Sequence, residues 1–199
     1  MIPGNEPVMT LHPEQLRALD YLKRKGTDAP VDEIRRQVAG MIAKLEEAVD
    51  AVPVSLREVA PGPGRWSVHE ILDHLIVSHR PALDQLRSLL AGRSPGTPAI
   101  PASLQSEDPF ILSWGILVSE LSRVHDTLWD LLREATDAQP LDARAPMVIV
   151  LKVARPDGTL EHLQWEERLD WKAFVQALRV HSLEHLSQIE RTIEELRRS

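Results

Sequence analysis

The chain has 199 residues, 43% hydrophobic and 27% charged, which is enough for one globular domain with a core, or a domain plus an arm. Its 30 acidic and 23 basic residues leave a net charge of −7, which argues against a nucleic-acid-binding surface, and no apolar run approaches the ~20 residues of a membrane span. The absence of cysteine excludes disulfides, thiolate ligands and a cysteine nucleophile, so a metal site must be built from histidine and carboxylate.

Residues 1–29 read as an arm: a Pro-rich start, "MIPGNEPVM", without the pattern of a signal peptide, then a short helix, "PEQLRALDYLKRK", closed by Gly26. The main unit spans residues 30–199. Val31, Ile34, Val38, Met41, Leu45, Val49 and Val52 share one helical face, and Pro53 stops it. After the loop "APGPG", Ser67 and Glu70 have capping-box spacing, so the next helix is predicted to begin at Ser67. Its core stripe is Val68, Leu72, Leu75, Leu83, Leu86 and Leu90. Pro81 predicts a kink and Gly92 a stop.

Residues 92–109 carry four prolines and two glycines and read as a long loop. "FILSWGILVSELSRVHDTLWDLLREA" predicts a third long helix with Leu117, Leu121, Val124, Leu128 and Leu131 inward. "MVIVLKV", the turn "ARPDGT" and "LEHLQW" predict a β-hairpin. A fourth long helix follows, capped by Asp170. The expected architecture is all-α: a four-helix bundle with a small β-hairpin between the third and fourth long helices.

The apolar stripe of that last helix runs Trp171, Phe174, Leu178, then Ile189, Ile193 and Leu196. His181 and His185 occupy the gap. At about 100° per residue they point within roughly 40° of each other, so one helix offers two imidazoles to a single ion. A third ligand must come from elsewhere. His74, beside the core positions Leu72 and Leu75, is the best candidate, and helical phase alone does not choose firmly between it and His79. His12, His69, His79, His125 and His162 have the plain reading of surface or partly buried rings. Trp114, Trp129, Trp165 and Trp171 read as core or hairpin anchors.

The two motifs "GRWSVHEILDHL", residues 64–75, and "HSLEHLSQI", residues 181–189, combine a Trp and small polar cap ahead of a His-Leu with a distant HxxxH followed by Gln. In order and separation they resemble the DinB/YfiT-like superfamily of metal-dependent enzymes, over about residues 31–196. The resemblance implies a four-helix bundle and a divalent ion, zinc or nickel, held by His74, His181 and His185. It also implies a homodimer. Some relatives carry a second histidine where this chain has Asp73, and adjacent histidines where it has Glu184 before His185.

Three imidazoles leave a divalent ion with open positions, where water or a thiol becomes more acidic. The expected function is a metal-dependent hydrolase or a low-molecular-weight-thiol S-transferase acting on a small molecule. Asp73 and Glu184 are the nearby carboxylates for proton transfer, and Trp66, Arg65 and Gln188 are candidates for the pocket. The alternative is a non-catalytic bundle, metal-stabilised or small-molecule-binding, that serves as a dimerisation module. No nucleic-acid or membrane partner is expected, and a cytoplasmic location is.

Overall fold

A computed structural model describes residues 11–155 and 157–198; the Pro-rich start at residues 1–10 lies outside the described residues. Helix α1 (Pro13–Leu22) runs into a π-helical turn over Lys23–Thr27. Four long helices follow: α2 (Val31–Asp50), α3 (Val68–Leu90), α4 (Trp114–Glu134) and α5 (Trp171–Arg198). Strands β1 (Ala145–Ala154) and β2 (Leu160–Leu169) form an antiparallel hairpin between α4 and α5. No helix among the described residues is long and apolar enough to cross a membrane.

The helix starts lie where the sequence supplies caps. The Ser67 hydroxyl accepts from the Glu70 backbone N–H, and the Glu70 carboxylate accepts from the Ser67 N–H at 2.7 Å. Asp170 Oδ1 accepts from the backbone N–H groups of Lys172 and Ala173, each at 3.0 Å, and so opens α5. Gly92, at φ 71°, turns the chain out of α3 in the left-handed conformation that favours glycine.

In the bundle, α2 and α3 each pack against both α4 and α5 and sit diagonally opposite one another. Glu46 meets His125 at 3.0 Å while Arg35 donates to Leu132 O at 2.9 Å, so α2 and α4 are antiparallel. Asp137 accepts from both Val31 N and Lys172 Nζ, at the starts of α2 and α5, and Arg179 reaches Gln37 O; those helices are parallel. Arg80 pairs with Glu120, and Arg87 and Thr127 line one groove, so α3 and α4 are parallel as well. Parallel neighbours require a connection that travels the length of the bundle, roughly 30 Å for a 20-residue helix. The long loop between α3 and α4 makes that journey lying on α3. It is pinned there by Gln85 to Thr97 and Pro98, by Asp73 to Ser106 and by Gln105 to Glu70 O.

All seven positions of the first stripe, from Val31 to Val52, are buried. In α3 and α4 the stripe ends shift by one residue: Leu89 and Leu132 are buried, while Leu90 and Leu131 are only partly covered. Helix α4 starts at Trp114 rather than Phe110. Asp108 accepts from the Phe110 N–H through its carboxylate and from the Ile111 N–H through its carbonyl, closing a local turn that replaces the first helical turn. Trp129, expected as an anchor, is exposed, because Leu128 and Leu132 take the core side of α4. Helix α3 runs unbroken through Pro81, which lies on its exposed side. The described part of the arm packs on its own body: Thr27 donates to Asp170 at 2.6 Å and Gln176 to the Tyr21 hydroxyl at 2.9 Å.

Candidate metal centre

Helices α3 and α5 are antiparallel neighbours, and their contact brings the motif histidines together. His74 Nε2 lies 3.0 Å from His181 Nε2, and His185 Nε2 lies 3.1 Å from the same atom. Three ring nitrogens thus converge on one point, and each residue offers a ligand atom within 4.8 Å of the others.

Their second nitrogens are occupied. His74 Nδ1 is 2.7 Å from the Leu104 carbonyl, and His185 Nδ1 is 2.9 Å from Gln188 Oε1. Both partners accept, so both Nδ1 atoms carry the proton and both Nε2 lone pairs are bare. His181 Nδ1 is 3.2 Å from His79 Nε2. Burial lowers the pKa of all four rings: His74 below its usual value, His181 well below it, His185 to about 4 and His79 to about 3. Near neutral pH the rings are uncharged. Three lone pairs facing one another, with at most one proton on His181 to share, are poorly satisfied without a cation.

The donor set fits a divalent ion. Neutral imidazole is a ligand for zinc and nickel alike. Zn–N bonds of about 2.0–2.1 Å at tetrahedral angles place nitrogens about 3.3–3.4 Å apart, a few tenths of an ångström beyond the separations here.

The other sequence candidates fall into distinct places. The Trp66 ring lies 5.0 Å from that of His74 and stacks 6.2 Å from that of His185, forming one wall. Gln188 orients His185. Arg65 forms a two-nitrogen ion pair with Glu195, tying the loop before α3 to the end of α5. Asp73 does not face the converging nitrogens with a free carboxylate. Its two oxygens accept from the Ser106 N–H at 3.0 Å and the Ser106 hydroxyl at 2.7 Å, holding the loop that presents the Leu104 carbonyl. Glu184 is exposed and paired with Lys152 at 3.4 Å and Arg191 at 3.6 Å.

The plain reading of the remaining histidines is corrected in part. His69, His79 and His125 are buried, with at most 3% exposure, His162 is exposed, and His12 caps α1. His125 bonds Glu46, and His69 lies between Phe110 and Trp114. His79 and the Leu104 carbonyl complete the surroundings of the three rings. A backbone carbonyl on a loop leaves no sequence signal. His79 does leave one, a second histidine five residues after His74, but the phase difference of about 140° hides its role.

A family model for the DinB superfamily matches residues 37–189. Among solved structures, YfiT from Bacillus subtilis matches with a TM-score of 0.59 and 20% identity, over 98% of this chain and 95% of that one. That protein is described as "a probable metal-dependent hydrolase with an unusual four-helix bundle topology". TT2238, described as a four-helix bundle protein, matches with a TM-score of 0.52 and 13% identity, over 81% of this chain and 98% of that one. At these identities the structural likeness speaks for the fold. No curated protein matches in sequence.

Proposed function

From its membership of the DinB superfamily, we propose that the chain is a metal-dependent enzyme, a hydrolase or a low-molecular-weight-thiol S-transferase, working at His74, His181 and His185. One observation carries the reading: three Nε2 atoms converge while each Nδ1 faces a partner elsewhere. The description of YfiT as a probable metal-dependent hydrolase agrees with it.

A divalent ion, zinc or nickel, supplies Lewis acidity at such a site, which makes water or a thiol more acidic near neutral pH. The chain's own groups do the rest. Trp66 covers two of the rings with an apolar face and limits water there. Leu104 O and Gln188 fix the orientation of the His74 and His185 rings. The substrate is a small molecule, and the homodimer implied by the family belongs to the same reading; light scattering at twice the chain mass of 22.4 kDa tests it.

A second reading, a structural ion in a non-catalytic bundle, is favoured by the 1% exposure of His74. Cobalt-substituted protein titrated with a small thiol separates the two. A changed visible spectrum supports an open, catalytic site, and an unchanged spectrum supports the structural ion.

A further inference from the structure

His79 belongs to neither family motif quoted above, yet it is 3% exposed and its Nε2 lies 3.2 Å from His181 Nδ1. The two nitrogens of His181 therefore face opposite ways, Nε2 toward His74 and His185, Nδ1 toward His79. The ring can present a bare Nε2 only if its proton sits on Nδ1. Leu104 O and Gln188 Oε1 impose that tautomer on His74 and His185 because they can only accept. Among the described residues, the group facing His181 Nδ1 is another imidazole, which accepts or donates according to its own tautomer.

Resting on the metal-site reading, we infer that His79 is a positioning residue for His181: its Nε2 lone pair accepts the His181 Nδ1–H, so that all three converging Nε2 atoms are free to bind one ion. No proton leaves the pair in this role. His79 holds its own proton on Nδ1, and His181 keeps its proton on the side away from the ion. The spacing explains why one ring serves both. His79 lies five residues, about 7.5 Å, along α3 from His74, and the His181 ring from α5 inserts between them.

The test compares zinc affinity, by competition with a chromophoric chelator, in wild type, His79→Phe and His79→Gln. His79→Phe keeps an aromatic ring, though a larger one, and removes the acceptor; His79→Gln restores an acceptor oxygen. The expected result is a loss of about tenfold to 100-fold in affinity for His79→Phe and recovery of most of it for His79→Gln. Equal affinity in all three overturns the role of His79 while leaving the metal site intact. Absence of zinc binding by wild type, also after nickel reloading, removes the metal-site reading itself and this inference with it.

Nitrogen-15 spectra of histidine-labelled, zinc-loaded wild type give a second readout that needs no variant. His79 is expected protonated at Nδ1 and bare at Nε2, with a hydrogen-bonded proton on His181 Nδ1. A proton on His79 Nε2 overturns the inference.

Discussion

The Leu104 carbonyl accepts from His74 Nδ1 at 2.7 Å, although Leu104 lies 30 residues along the chain in a loop with no regular structure. That carbonyl is held in place by the neighbouring bonds between Asp73 and Ser106. A loop thus orients a ring of the candidate metal centre, and Asp73 secures the loop.

Asp73→Ala is therefore expected to weaken metal binding without abolishing it, by about tenfold, as loss of an outer partner typically does. Ser106→Ala, which removes one of the two bonds, is expected to do less. Chelator competition measures both. If Asp73 were instead a proton carrier, Asp73→Ala would keep full metal affinity.

Gln188 accepts from His185 Nδ1 at 2.9 Å. Gln188→Leu leaves that N–H without its acceptor and frees the ring to turn; a loss of about tenfold to 100-fold in metal affinity is expected. Gln188→Glu keeps an acceptor and is expected to retain binding. Isothermal titration with zinc ranks the variants, and equal affinity for Gln188→Leu and wild type contradicts the orienting role.

The buried histidines make the metal-free protein sensitive to acid. Burial lowers the pKa of His79 to about 3 and of His185 to about 4, and lowers those of His74, His181 and His125 as well. The unfolded chain binds these protons near the ordinary value of about 6.5, so between the two values unfolding takes up protons. The stability is fully present above about pH 6.5 and falls as pH drops toward the folded values. Urea midpoints with chelator present should be lower at about pH 5 than at about pH 7.5. Equal midpoints contradict the burial of neutral rings.

Gly26 sits where the arm touches α5. A Cβ there would lie 2.7 Å from Ala173 Cα and 3.0 Å from Lys172 O, both backbone atoms. Gly26→Ala is expected to destabilise the fold by about 1–3 kcal/mol through overpacking, read from chemical unfolding. An unchanged midpoint contradicts the close packing of residues 22–29 on the bundle.

The bundle was legible because its signals are local and periodic. Val31 to Val52 mark one face at helical spacing, Ser67 and Asp170 supply caps, and β-branched residues mark the hairpin. The helix directions were not legible, because they depend on long-range packing of the loop that Asp73 and Gln85 hold against α3. His181 and His185 stood out as polar breaks in an apolar stripe. His79 did not, since its role depends on a ring from another helix entering between two turns of α3. Helix α4 starts later than its apolar pattern predicts because the Asp108 turn competes with the helix at Phe110.

The most direct test is elemental analysis of the full chain after reloading with zinc or nickel, beside His74→Ala and His185→Ala treated identically. The account predicts a stoichiometric ion in the parent protein and its loss in both variants, with helical content preserved. A parent protein that takes up no ion, or either variant at full metal content, contradicts it.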